Sequence, residues 1–190
     1  ILINNTYLLS KNYDWKGITV EYDDRKRHTW KDERPNDIII SNDARKINYL
    51  ELLQKYNAPH NIDYLQIDLE VNNRSTLDVL ELMDREIFDY YKFAVVTFEH
   101  DIYLHHYANH FNTRNIAREI FKRRGYFLVF PDLRQFEDWY VHPDLVDMKY
   151  VYDLVKKNKK YIDKQQEIFQ HKGGLNHSSK ELIAYDILKK

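Results

Sequence analysis

Five short apolar runs, each rich in β-branched or aromatic residues, alternate along the chain with segments whose apolar residues recur at a helical period. This alternation restricts the fold more than any other feature, because runs of that length and composition favour strands over buried helix pieces. The runs are residues 17–21, 37–41, 62–68, 93–98 and 126–130. Several are apolar on both faces, which is the pattern of a parallel sheet covered on both sides. Residues 136–141 read as one more strand.

The clearest helix is predicted over residues 75–88. Leu77, Leu80 and Met83 make its apolar face with Val79, Leu82 and Ile87, and Ser75 with Asp78 reads as a variant of the capping box. A second is predicted over 112–124, with Ile116, Ile120 and Phe121 inward and Gly125 at the stop. Residues 5–12, 23–31 and 48–56 read as shorter helices. Strand and helix in turn imply a doubly wound α/β sheet. Beyond Pro143 the chain is charged and helical in pattern. The basic run 156–160 reads as a solvated helix face, Gly173–Gly174 as a break and 180–190 as a final helix. The expected organisation is a core over 1–148 and a helical extension over 149–190.

A chain of 190 residues suits one domain with a substantial core. Its net charge of −1 provides no basic field, so duplex nucleic acid is not an implied partner. With no Cys, disulfides, thiolate metal sites and Cys nucleophiles are excluded. No apolar run approaches the roughly 20 residues needed to span a bilayer, and no signal-peptide pattern is visible. A cytoplasmic chain with no membrane partner is expected; the sequence leaves the oligomeric state open.

Open α/β sheets bind ligands at the carboxyl ends of their strands. Here the first predicted strand ends in Glu21 and the second in Ser41, Asn42 and Asp43. The third ends in Asp68 and Glu70, the fourth in Glu99, His100 and Asp101. Carboxylates at so many strand ends favour a ligand or cation that uses them. In a nucleotide-binding sheet, an acid ending the second strand accepts hydrogen bonds from ribose hydroxyls. A carboxylate suits this because it only accepts, and a diol supplies two donors. Ser41, Asn42 and Asp43 would then lie one strand outward, beside the adenine. Asp68 and Glu70 would lie on the inner side, nearer the reacting atoms.

Residues 5–9, 15–18, 20–21 and 64–70 resemble successive blocks of FkbM-type methyltransferases. Residues 97–101, Thr113–Arg114, Gly125–Tyr126 and residues 136–143 resemble a subgroup of that family. The likeness covers roughly residues 4–147. It implies a class I methyltransferase (Rossmann-like) fold, a doubly wound and mostly parallel sheet. It also implies S-adenosylmethionine as donor and a hydroxyl acceptor on a sugar or another small molecule. On this resemblance Glu21 is the ribose-binding acid, Asn42 and Asp43 belong to the adenine-side loop, and Asp68 and Glu70 are the acidic pair. Two positions depart from the family. The opening strand and its Gly-rich turn should precede Ile1, yet the first glycine is Gly17. A fragment, or another segment filling the gap, is therefore expected. Tyr22 stands where the family often has Pro after the acid, and it is placed to stack on adenine.

Methyl transfer is an in-line displacement that needs a positioned acceptor oxygen and help in removing its proton. His100 is the first candidate base, oriented by Asp101 or Glu99, with Asp68 and Glu70 completing the catalytic set. A divalent ion held by Asp68, Glu70, His100 and Asp101 is the less favoured alternative. His105, His106 and His110 read as a polar loop on the substrate side. Arg74 and Arg114 are candidates to hold an acceptor's phosphate or carboxylate, against surface ion pairing. Trp139, Tyr140 and His142 are candidate walls of the acceptor pocket, against plain core packing. Two other functions compete: a non-catalytic binding or interaction domain that has lost its cofactor loop, and an NAD-type oxidoreductase, against which the Asp68-Leu69-Glu70 block argues.

Overall fold

The structure is a computed structural model that describes residues 6–70, 73–102, 111–133 and 136–157. In chain order the elements are α1 (Tyr7–Tyr13), β1 (Ile18–Glu21), α2 (Arg25–Glu33), β2 (Ile38–Ser41), a 3-10 turn (Ala44–Lys46) and α3 (Tyr49–Lys55). There follow β3 (Asn61–Ile67), α4 (Ser75–Glu86), β4 (Lys92–Glu99), α5 (Thr113–Arg123), β5 (Phe127–Leu133) and β6 (Glu137–Val141). Residues 148–157 are helical. Each strand expected from the apolar runs forms. The helix expected at 180–190 and the break at Gly173–Gly174 lie outside the described residues.

The architecture is α/β with two sheets. β1 and β2 form a parallel pair, and the larger sheet has the order β3-β4-β6-β5. β3 and β4 are parallel, whereas β6 runs antiparallel to both of its neighbours. The sheet is therefore mixed. The connection from Leu133 to Glu137 explains why: a parallel pair needs a crossover of roughly a dozen residues, so this link can only make a hairpin. β5 is the outer strand. Its register shifts on either side of Phe130, and it carries Pro131, whose missing N–H is tolerated at a sheet edge.

β4 lies between two apolar layers. Val96 and Phe98 join a core with Leu77, Leu80 and Ile87 from α4 and its end, Phe121 from α5 and Tyr140 from β6. Val95 joins the opposite cluster with Val129, Trp139 and Val141, closed by Val151 and Leu154 of residues 148–157. The two-faced apolar run 93–98 thus reads as expected for a strand covered on both sides. Val20 of β1 and Ile40 of β2 pack against the first of these cores.

Local chemistry sets the joints. α4 begins at Ser75, whose N–H donates to Asn73 Oδ1 at 2.8 Å. The expected capping box of Ser75 and Asp78 does not form. Ser75 is already helical, and Asp78 instead accepts from Arg74. α5 stops at Gly125 as expected, where φ is +82°. Between α2 and β2, Arg34 and Asp37 form a buried ion pair, and Asp37 Oδ1 accepts from Gly17 N at 3.1 Å.

Leu80 is fully buried. Leu80→Ala is expected to lower stability by about 2–5 kcal/mol through lost transfer energy and a residual cavity. Tyr22→Ala, at a residue 80% exposed, should change it by less than about 0.5 kcal/mol. Urea unfolding followed by circular dichroism checks both.

Candidate functional site

Strand register decides which polar residues meet. Ile67 pairs with Phe98, so Asp68 and Glu99 leave neighbouring parallel strands at one level. Phe98 also pairs with Asp138, and Glu99 with Glu137, because β6 starts where β4 ends. The carboxyl end of β4 therefore gathers Asp68, Glu99, His100, Asp101, Glu137 and Asp138. In the smaller sheet Glu21 pairs with Ser41, so those two strands also end together.

The ends of β1 and β2 repeat one local device. Asp23 accepts from Arg25 N, Nε and Nη2 at 3.1, 2.8 and 2.7 Å. Asp43 accepts from the same three atoms of Arg45 at 3.0, 2.9 and 2.8 Å. The bonds from Arg45 lower the Asp43 carboxyl to about 2. Glu21 Oε1 accepts from Asp23 N at 2.9 Å, which orients the carboxylate. Tyr22, Ser41 and Asn42 are exposed.

Beneath the end of β4 lies a buried polar network. The N–H groups of His100 and Asp101 both donate to Phe136 O, at 2.6 and 2.8 Å, which fastens the end of β4 to the start of β6. The Asp138 carboxylate accepts from Arg118 Nε at 2.7 Å, Arg118 Nη2 at 2.8 Å, Tyr140 Oη at 2.9 Å and Asp132 N at 2.8 Å. Asp132 Oδ1 accepts from Arg118 Nη2 at 2.8 Å and Arg114 Nη1 at 3.1 Å. Nε2 of the fully buried His100 faces Asp138 Oδ1 at 3.3 Å and Asp132 Oδ1 at 3.5 Å. Burial by itself pushes the Asp138 carboxyl up, but the bonds from Arg118 and His100 outweigh it and hold it well below the usual range. Burial, with Asp138 alongside, pushes the Tyr140 phenol up.

The residues expected at a site are distributed unevenly. Asp68 and Glu70 are exposed after β3, and Gln66 Nε2 donates to Asp68 Oδ2 at 2.8 Å. His100 and Asp101 are brought to the same end but are buried. Arg74 is engaged by Asp78 at 2.5 Å and Glu81 at 2.6 Å, the ion-pairing alternative. Arg114 is engaged by Asp132. Trp139 and Tyr140 are each 1% exposed, so both are core residues here. Trp139 Nε1 donates to Glu137 Oε1 at 3.0 Å. His142 stands edge-on to Tyr126 with centroids 5.0 Å apart, and burial lowers its pKa. His105, His106 and His110 lie outside the described residues. Asp132, Asp138 and Arg118 were not singled out from the sequence. A carboxylate at 138 directly before Trp139, Tyr140 and Val141 in an expected strand was the available signal.

Compared with protein-family models, curated proteins and solved structures, the chain matches none. Residue chemistry and geometry therefore bear on its function alone. Asp68 and Glu70 after β3 are exposed and Glu21 at the end of β1 is half-buried, whereas Asp138 beneath β4 is fully buried and accepts four protein hydrogen bonds.

Replacing Asp138 leaves Arg118, Tyr140 and Asp132 N without their shared acceptor. Asp138→Asn is expected to cost about 3–5 kcal/mol, as for other broken buried pairs. Because the folded-state pKa is depressed, the stabilisation is present above the unfolded value of about 3.9 and is lost as pH falls below it. Thermal melts from pH 6 down to pH 3 should therefore fall less steeply for Asp138→Asn than for wild type.

Proposed function

We propose that the chain binds S-adenosylmethionine across its strand ends and serves methyl transfer to a hydroxyl of a sugar or other small molecule. The observation that carries this is the alignment of acids at parallel strand ends. Glu21 leaves β1 beside Ser41, and Asp68 leaves β3 beside Glu99. Ligands of open α/β sheets bind at such ends. The finer fold proposed is the class I methyltransferase sheet. In its support, the pairs β2-β1 and β3-β4 follow a doubly wound nucleotide-binding order, 3-2 and 4-5, from which the first strand is taken out. Two of the four strand pairings are parallel, and the two antiparallel ones both involve β6.

In this reading Glu21, oriented by Asp23 N, takes the ribose diol. Tyr22, Asn42 and Asp43 flank the adenine. Asp68 and Glu70, which are exposed, accept from the acceptor hydroxyl and its departing proton. His100 and Asp101 serve the site from beneath, holding the end of β4 in place. The second reading, a non-catalytic binding domain, draws on the lack of hydrogen-bonded pairing between the two sheets among the described residues.

Titration calorimetry of the 190-residue chain with S-adenosylmethionine tests the proposal. Binding is expected for wild type, and Glu21→Gln should weaken it at least about tenfold, roughly 1.4 kcal/mol, without changing the far-ultraviolet spectrum. Absence of binding to folded wild-type chain would contradict it. Donor binding without methyl transfer to any of a panel of hydroxylated acceptors favours the second reading.

A further inference from the structure

We propose that the outer face of residues 148–157, together with Phe127 of β5, docks on an anionic phospholipid membrane surface. Three large aromatic side chains are exposed on this face: Phe127 at 36%, Tyr150 at 41% and Tyr152 at 54%. The rings of Phe127 and Tyr152 stand edge to face with centroids 5.5 Å apart. Helix and strand meet because Val151 and Leu154 are buried in one cluster with Val129 of β5. That burial turns the other positions of the helix to solvent. β5 is the outer strand, so no further strand of its sheet covers Phe127.

The same face is basic. Lys149, Lys156 and Lys157 are exposed. Lys149, Tyr152 and Lys156 follow one another at three and four residues, which puts them on one stripe of the helix. Asp153 is the single acid within residues 148–157, so the face has a positive excess in a chain whose net charge is −1. Among the described residues none of these lysines is held in an ion pair, whereas Lys92 is engaged by Asp144. In sequence the basic run extends to Lys159 and Lys160. Lysine clusters of this kind on amphipathic helices recognise anionic lipid.

Rings with an apolar body and a polar tip settle at the boundary of headgroups and acyl chains, and lysines are drawn to an anionic leaflet. Planar bases and single phosphates are better met by the fixed fork of arginine, and residues 148–157 contain none. Phe127 and Tyr152 also pack on each other at 78°, where a nucleic-acid platform would open its ring faces to successive bases. Among the described residues no helix is long and apolar enough to cross a membrane, so the contact is peripheral. The basic run alone is visible in the sequence, where no membrane partner is expected; the exposed ring pair beside it comes from the packing. Phe127 pairs with Val141, and Val141 with Val95 in the first half of β4. The face therefore lies away from Asp68 and Glu99, and the proposal does not rest on methyl transfer.

The test is cosedimentation of the full 190-residue chain with vesicles of phosphatidylcholine and of phosphatidylcholine mixed with phosphatidylserine. Binding to the mixed vesicles alone is expected, and it should be lost in high salt, which screens exposed charges. Lys149→Gln, Lys156→Gln and Lys157→Gln combined should weaken it about 100-fold, at about fivefold per lysine. Tyr150→Ser with Tyr152→Ser should weaken it at least about tenfold. These residues are exposed, so circular dichroism should show the fold retained in each variant. A folded wild-type chain that does not sediment with the mixed vesicles would overturn the proposal. Binding left unmoved by the three lysine substitutions would do so equally. Binding to an oligothymidine and not to vesicles would replace lipid with single-stranded nucleic acid. A dimer that Tyr152→Ser dissociates, without vesicle binding, would replace it with a second copy of the chain.

Discussion

A carboxylate buried at the start of β6 has to be met by donors, and the elements around the end of β4 are arranged to supply them. Asp138 draws a guanidinium from α5, a phenol from its own strand and a main-chain N–H from β5. An uncompensated charge in that position costs several kcal/mol, so these contacts are coupled to one another. They fix α5 against the β5–β6 hairpin. Through the two N–H bonds to Phe136 O, the same hairpin fixes where Glu99, His100 and Asp101 leave β4.

Two populations of acid follow from this arrangement. Asp132 and the buried Asp138 tie α5 to the β5–β6 hairpin, and the buried Glu137 accepts from Trp139 of its own strand. At the other strand ends Asp68 and Glu70 are exposed and Glu21 is half-buried. Both populations occur at strand ends, and the sequence does not distinguish them, because one Asp in a row of letters carries no burial.

The strands were legible because an apolar run of four to eight residues leaves few other structures that bury it. The helix over α4 was legible from Leu77, Leu80 and Met83. The reversed direction of β6 followed from the short link after Leu133, a length that could have been weighed from the sequence. The Arg74–Asp78 pair was open to the same kind of reading, since residues four apart share a helix face. The Arg118–Asp138 contact was not, because its partners are 20 positions apart and meet only when α5 and β6 pack. Trp139 and Tyr140 looked like pocket walls for a related reason. Neighbouring residues in a strand point to opposite faces, and only the structure shows both faces of β6 to be covered.

Hydrogen exchange with and without S-adenosylmethionine tests most directly whether the carboxyl ends of the strands are the working end of this protein. Slower exchange is predicted at residues 21–25, 41–46, 68–70 and 99–101 in the presence of the donor. No change in exchange, or protection confined to the opposite end near Arg123–Gly125, would contradict it.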